Sequence, residues 1–311
     1  MDKLIITSSP HVRSKTTISS IMADVLLALM PATALGIYYF GISSALLIAT
    51  TIVSAVIFEA MVQKVRKKPV TVNDLSAVVT GLILALNLPP GIPLWIAVVG
   101  AAFAIIIVKQ LFGGLGQNFM NPAMAARVFL VISYPKIMSV YFEPVTQAVS
   151  TATPLALIKA GQFSNLPPLM NAFIGKTSGS IGETSALALL VGGAYLIYRK
   201  VISWEIPVIY IGTTFLLTFL LGGMNFYGSL YSILSGGLLL GGIYMLTDYS
   251  SSPVTRQGKM IFAFGAGVLT TLIRLFGGYP EGVMFSILLM NVATPLIEHF
   301  SVPKIFGGAK K

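Results

Sequence analysis

The 311-residue chain contains no cysteine, two histidines, two tryptophans and only ten acidic residues. Without thiols it forms no disulfide and holds no iron–sulfur cluster or zinc–thiolate site of its own. His11 and His299 stand near opposite ends of the sequence, so paired axial ligation of a haem is not expected. Charge is scarce as well: 10% of residues, where soluble domains carry about 25%. What fills the chain is apolar, 55% hydrophobic residues with a mean hydropathy of +0.87, and that composition places it in a membrane. The net charge of +10 does not indicate nucleic acid, because the basic residues are spread over loops between apolar segments and do not gather on one face.

Windows of about 19 residues place spans near 20–40, 43–62, 75–88, 94–111, 122–134, 185–199, 205–222, 228–247, 259–276 and 282–300. The expected architecture is an all-α integral membrane protein, a single domain of about ten transmembrane helices. The third and fifth spans are short, and the fifth carries Arg127, so either is a candidate for a broken element packed inside protein. With ten spans, fifteen of the twenty basic residues fall on the side of the N-terminus and only Lys136, Lys159, Lys176 and Arg274 on the other. The positive-inside rule then puts both termini in the cytoplasm and the long 135–184 segment on the outer face. The basic stretch from Lys3 to Lys15 leads into a long span with no small-residue cleavage site, so no removable signal is expected. Leu111-Phe112-Gly113-Gly114 ends the fourth span and Leu275-Phe276-Gly277-Gly278 ends the ninth. That echo, five spans apart, suggests two inverted repeats, about 20–134 and 185–300.

Three polar stretches could carry chemistry. In Ser150-Thr151-Ala152-Thr153-Pro154-Leu155, Thr153 precedes a proline suited to a first helical position. This is a helix cap with an anion-friendly end, or a cap with no further role. Gly113 to Ala123 sets Gln117, Asn118 and Asn121 between glycines and Pro122. Such amides suit a neutral heterocycle with alternating donors and acceptors, and equally a self-satisfied turn. Asp248-Tyr249-Ser250-Ser251-Ser252-Pro253 and the following Thr255 to Lys259 suit a phosphate, a ribityl chain, a partner protein or a plain turn. Asp24, Glu59, Glu183, Glu205, Glu281 and Glu298 lie near or within spans and are candidates for an ion or proton path. Arg127, inside a span, needs an anionic or carbonyl partner: a phosphate-bearing ligand or an acid from another helix.

These motifs resemble a family of membrane proteins that includes the D subunit of the Rnf complex and, more distantly, the B subunit of the sodium-pumping NADH:quinone oxidoreductase. The similarity runs nearly end to end. It takes in Ser8 to His11, Gly113 to Ala123, Ser150 to Leu155, Gly182 to Ser185, Thr247 to Lys259, Tyr279 to Gly282 and Leu289 to Asn291. The compact N-terminus is nearer the Rnf member. The resemblance implies a covalent FMN held by a phosphoester bond at Thr153, within a motif that includes Ser150 and Ala152, and attached by a separate flavin transferase outside the membrane. Thr151 stands where the family commonly has glycine, and Gln147 where related motifs often have aspartate.

The resemblance also implies a non-covalent riboflavin near Asn118 and Asn121, and Arg127 is a further candidate cofactor contact. Partners implied are the A, B, C, E and G components of the Rnf complex, membrane lipid, and Na+ or H+ as the exported ion. The reaction implied is an electron relay between ferredoxin and NAD+, without a hydride-transfer site or metal in this chain. The alternative class is a channel or transporter for a small neutral solute, and a third is a structural scaffold. Purified transporter would be colourless, and a flavin carrier yellow.

Overall fold

Hydroxyl and amide side chains start many of the helices, and glycine and proline divide them. The computed structural model describes residues 16–144, 149–150, 153–162, 166–223 and 225–302. Thr17 opens α1 (Ile18–Phe40) with a capping box: its hydroxyl accepts from the Ser20 N–H, and the Ser20 hydroxyl accepts from the Thr17 N–H. Gly41, at φ 73°, separates α1 from α2 (Ile42–Val65). α3 (Ser76–Leu86) stops just before Pro89-Pro90. α4 (Leu94–Ala102) continues as a π-helical stretch, Phe103–Gln110. Asn121 caps α5 (Pro122–Ser133), accepting from the Ala123 and Met124 N–H groups, with Pro122 at the first helical position.

Between the two halves lie α6 (Pro135–Met138), a short antiparallel ribbon of β1 (Tyr141–Phe142) and β2 (Val149–Ser150), α7 (Pro154–Lys159) and α8 (Leu169–Ile174). The second half comprises α9 (Ala186–Tyr198), α10 (Glu205–Leu221), α11 (Phe226–Leu234), α12 (Leu238–Leu240) running into a π-helical stretch Gly241–Met245, α13 (Arg256–Phe276) and α14 (Val283–Ser301).

Large apolar side chains such as Leu27, Met30, Val53, Ile57, Leu216, Phe264 and Leu296 point outward, whereas Glu59, Lys109, Arg127, Arg274 and Asn291 are buried. A surface of this kind suits lipid, where polar groups must be satisfied inside the protein. Four helices, α1, α2, α13 and α14, are long and apolar enough to cross a membrane; the bent pair Phe226–Leu234 and Leu238–Met245 makes a fifth. The remaining expected spans are shorter apolar helices: Ser76–Leu86, Leu94–Gln110, Pro122–Ser133, Ala186–Tyr198 and Glu205–Leu221. The chain is therefore a predominantly helical, multi-pass membrane protein.

Two features differ from the sequence expectation. The eighth span is not continuous: Gly236 and Gly237, both left-handed at φ 71° and 67°, turn the chain by 60° between its two pieces. Lys109, one of the fifteen basic residues assigned to loops on the side of the N-terminus, and Arg274, assigned to a loop on the other, lie within helical segments and are buried, because each finds polar partners there.

α1 and α9 pack at a glycine. A β-carbon at Gly192 would fall on the carbonyl oxygen of Ala28 and the hydroxyl of Tyr244, so this small residue permits the close approach seen between membrane helices. Gly192→Ala is expected to push α9 off α1 at a cost of about 1–3 kcal/mol. The measurement is the thermal midpoint of the detergent-solubilised protein, and an unchanged midpoint would show that the seam can relax.

Candidate functional site

Two cavities, each with polar groups set in a largely apolar wall, lie toward opposite ends of α5. The first is built around Thr153. Its hydroxyl oxygen accepts from the Ala156 N–H at 3.3 Å, capping α7, and Pro154 fixes the first helical turn. Thr153 borders a cavity of about 390 Å³ whose wall includes Arg127, Lys136, Tyr141, Ala156, Tyr279 and Glu281. That volume falls in the usual range of small-molecule sites. Its lining combines aromatic surface, Lys136 and a helix start, a set that fits a phosphorylated aromatic ligand, while Arg127 on the same wall is engaged by acids of the chain.

Behind this wall lies a buried charge cluster. Arg127 Nη1 donates to Asn87 Oδ1 at 2.7 Å and to Glu183 Oε1 at 3.0 Å, and Nη2 donates to Glu281 Oε2. The Tyr141 hydroxyl donates to Glu281 Oε1 at 3.0 Å. Arg274 donates to the carbonyl oxygens of Ser232, Ser235, Gly236 and Glu281 and to the Ser232 hydroxyl. Burial pushes the Glu281 carboxyl above the usual carboxylate range, and Arg127 opposes that push. Burial also raises the Tyr141 phenol well above its ordinary value, keeping it a hydrogen-bond donor.

The second cavity, about 100 Å³, is lined by Ser76, Lys109, Asn118, Asn121, Asp248 and Ser250, with Ile21, Met22 and Val25 as apolar wall. Asn118 Nδ2 donates to the Met120 carbonyl at 3.0 Å. The Asn121 N–H donates to Asn291 Oδ1, and Asn291 Nδ2 donates to the Ser251 carbonyl, both at 3.1 Å. Asn291 thereby ties the start of α5 to the Asp248 turn. The Asp248 carboxylate accepts from the hydroxyls of Ser250 and Ser251 at 3.0 Å. Burial raises this carboxyl, and the serine donors work against it. On the same wall Lys109 Nζ donates to Glu59 Oε2 at 2.8 Å and to the Ser76 hydroxyl at 2.7 Å, while Gln110 donates to Glu59 Oε1 at 2.9 Å.

The expected site residues thus divide. Thr153 and Arg127 share the first cavity; Asn118, Asn121 and the Asp248 turn share the second. Ser150 is described only as backbone, pairing with Tyr141, and Ala152, Thr151, Gln147 and His11 lie outside the described residues. Of the two partner types open to Arg127, the structure supplies acids of the chain itself. The roles of Asn87, Tyr141 and Lys109 are not legible in the sequence, because nothing in a single sequence pairs Lys109 with Glu59 or brings Asn87 and Tyr141 to Arg127.

A multi-pass helical membrane protein with two internal cavities, one beside a threonine-capped helix and one with amides on its wall, is the class these features define. The chain belongs to the NQR2, RnfD, RnfE family, whose model matches residues 5–307. It is 54% identical over 310 residues to the D subunit of the Na(+)-translocating ferredoxin:NAD(+) oxidoreductase complex of Acetobacterium woodii, covering 99% of this chain and 96% of that one. It is 47% identical over 316 residues to the D subunit of the proton-translocating ferredoxin:NAD(+) oxidoreductase complex of Clostridium ljungdahlii, covering 97% and 96%. The D subunit of the ion-translocating oxidoreductase complex of Halorhodospira halophila is 37% identical over 337 residues, covering 96% and 94%.

Proposed function

We propose that this chain is the flavin-carrying membrane component of an ion-translocating complex that passes electrons between ferredoxin and NAD+ and exports Na+ or H+. The observation that carries the proposal is end-to-end similarity to proteins named for that reaction, at 54% and 47% identity. One of those relatives is named for Na+ and the other for protons, so both ions stand in the proposal. The chain acts as an electron relay and does not carry the hydride-transfer site.

FMN is proposed as a phosphoester on Thr153, with Ser150 and Ala152 in the motif read by a separate flavin transferase. Bound there, it would supply one-electron chemistry. Thr153, the cap of α7, fixes the point of attachment, Lys136 offers positive charge, and Tyr141 and Tyr279 offer aromatic surface. Riboflavin is proposed at Asn118 and Asn121. Their neutral amides suit a ligand without phosphate, and a cavity of about 100 Å³, smaller than typical small-molecule sites, requires widening or a neighbouring protein to complete it.

The proposed topology is ten crossings in two inverted repeats, 20–134 and 185–300, joined by the flavin-bearing segment 135–184. Its support is the repeated order of five helical elements: α2 packs on α3 and α4 as α10 packs on α11 and α13, and α1 meets α9. Both termini are proposed to face the cytoplasm and Thr153 the outer side of a bacterial or archaeal plasma membrane, in a complex with the A, B, C, E and G components.

The test is intact mass and in-gel flavin fluorescence of the chain co-expressed with a flavin transferase. Wild type is expected to carry one FMN less one water and to fluoresce on a denaturing gel, and Thr153→Ala to lose both signals. An unmodified, colourless wild-type chain from active complex overturns the flavin assignment and returns the solute-transporter reading.

A further inference from the structure

The acids behind the Thr153 cavity have one guanidinium between them. Arg127 bridges Glu183 and Glu281. The neighbouring cation, Arg274, directs its hydrogen bonds to backbone carbonyls and the Ser232 hydroxyl, and reaches neither carboxylate. Beside the pair is a third cavity, of about 10 Å³, walled by Thr153, Glu183, Ser235 and Glu281 among others. That is the room a single water needs. The Ser235 hydroxyl on this wall is buried without a hydrogen-bond partner, as is the Nε of Arg127. Among the described residues the Tyr141 hydroxyl from β1 also faces the acids, Thr177 and Ser178 line the small cavity with them, and Lys136 from α6 lies across the larger cavity. Lys159 of α7 is turned away, donating to the carbonyls of Gly277 and Tyr279.

The two buried carboxylates are paired directly with Arg127 and feel the buried Arg274 only through space, so an electron arriving beside them adds a negative charge that these cations do not neutralise, and a low-dielectric site makes that charge costly. We propose that Glu183 and Glu281 form a redox-linked proton-binding site. One proton binds the pair when the flavin carried by Thr153 takes up an electron, and leaves when that electron moves on. The inference rests on the flavin reading given above.

In the balanced step, a one-electron donor of the iron–sulfur class is oxidised and the flavin is reduced. A proton from bulk water protonates a carboxylate oxygen, and no bond to the flavin forms or breaks. Negative charge arriving near the acids raises their proton affinity, and linkage requires the bound proton to raise the electron affinity by the same factor. The water-sized cavity touching Thr153 and both acids gives the proton a place to enter.

The test is a redox titration of the covalent flavin in the intact complex, with dithionite as reductant, across the neutral pH range. Loading is checked by in-gel fluorescence: a wild-type chain without it removes the flavin reading and this inference with it, whereas a fluorescent chain that fails the titration removes only the inference. With one proton per electron, electron affinity falls tenfold per pH unit, about 59 mV. Glu281→Gln and Glu183→Gln are expected to lose most of that dependence while keeping fluorescence, and Glu281→Asp to retain it. Reduced-minus-oxidised infrared spectra should show a carboxyl C=O band in wild type that disappears in one of the glutamine variants. Identical pH dependence in wild type and both glutamine variants, absence of the carboxyl band, or a potential that follows Na+ at fixed pH would overturn the proposal.

Discussion

Arg127→Met is expected to lose most of its folded, monodisperse material in detergent, a destabilisation of about 3–5 kcal/mol, the range for removing one partner of a buried ion pair. The physical reason is what the substitution leaves behind. Glu183 and Glu281 are 7% and 8% exposed, and without Arg127 neither carboxylate has another cation within hydrogen-bond reach among the described residues, since Arg274 bonds backbone and Ser232. Asn87 loses a donor as well. The loss should be smaller at low pH, because protonation removes the charge that burial penalises: stability of the variant rises as pH falls, relative to wild type. Arg127→Met/Glu183→Gln/Glu281→Gln is expected to regain part of the lost stability, since neither acid then remains charged, while the buried Arg274 keeps its carbonyl partners but loses the charge of both acids, which limits the recovery. Size-exclusion profiles and thermal midpoints at two pH values are the measurements. Equal stability of wild type and Arg127→Met would mean that water reaches the acids freely.

Lys109→Met is expected to have an effect of similar size at the other end of the molecule. Glu59 and Lys109 are 1% and 2% exposed and joined at 2.8 Å. Lys109 also donates to Ser76 at the start of α3, so one ammonium joins α2, α3 and the π-helical end of α4. Removing it strands Glu59 with only the Gln63 and Gln110 amides, at a cost of about 3–5 kcal/mol. The double variant Lys109→Met/Glu59→Gln should be markedly more stable than Lys109→Met alone. Chemical denaturation in detergent, followed by tryptophan fluorescence, distinguishes the two. If the double variant is no better than the single, the loss comes from packing of the lysine stem and not from the unpaired acid.

Much of the helical framework is legible in the sequence because apolar runs and their punctuation are local. The windows 20–40, 205–222 and 282–300 correspond closely to α1, α10 and α14. Thr153 is readable as a cap because a cap and its proline are neighbours in the chain, whereas Asn121, read as a ligand amide or part of a turn, is shown as the cap of α5 by the structure. The bend at Gly236-Gly237 escapes a sequence reading because hydropathy is blind to backbone sign, and glycine within a membrane helix is common. The Arg127 cluster is only half legible. One arginine in a span announces that it needs an acid, yet Glu183 and Glu281 lie 56 and 154 residues away, and distance along the chain hides which acids answer. Lys109 misleads for the same reason: at the end of an apolar run a lysine reads as a loop cation, and only its meeting with Glu59 shows that it is interior.

The placement of α5 carries a mechanical consequence. Near one end, Asn121 is bonded to Asn291 in α14; nearer the other, Arg127 is bonded to Glu281 just before α14 begins. These are two rungs between the first and second halves of the chain. A third lies where Asp24 of α1 accepts from Tyr195 and Arg199 of the α9 region, beside the tight crossing at Gly192. Rocking transporters need at least one seam between their halves that slides, and here both seams are cross-braced by polar bonds. These polar bonds oppose the sliding of one half against the other, and together they hold the two cavities at opposite ends of α5.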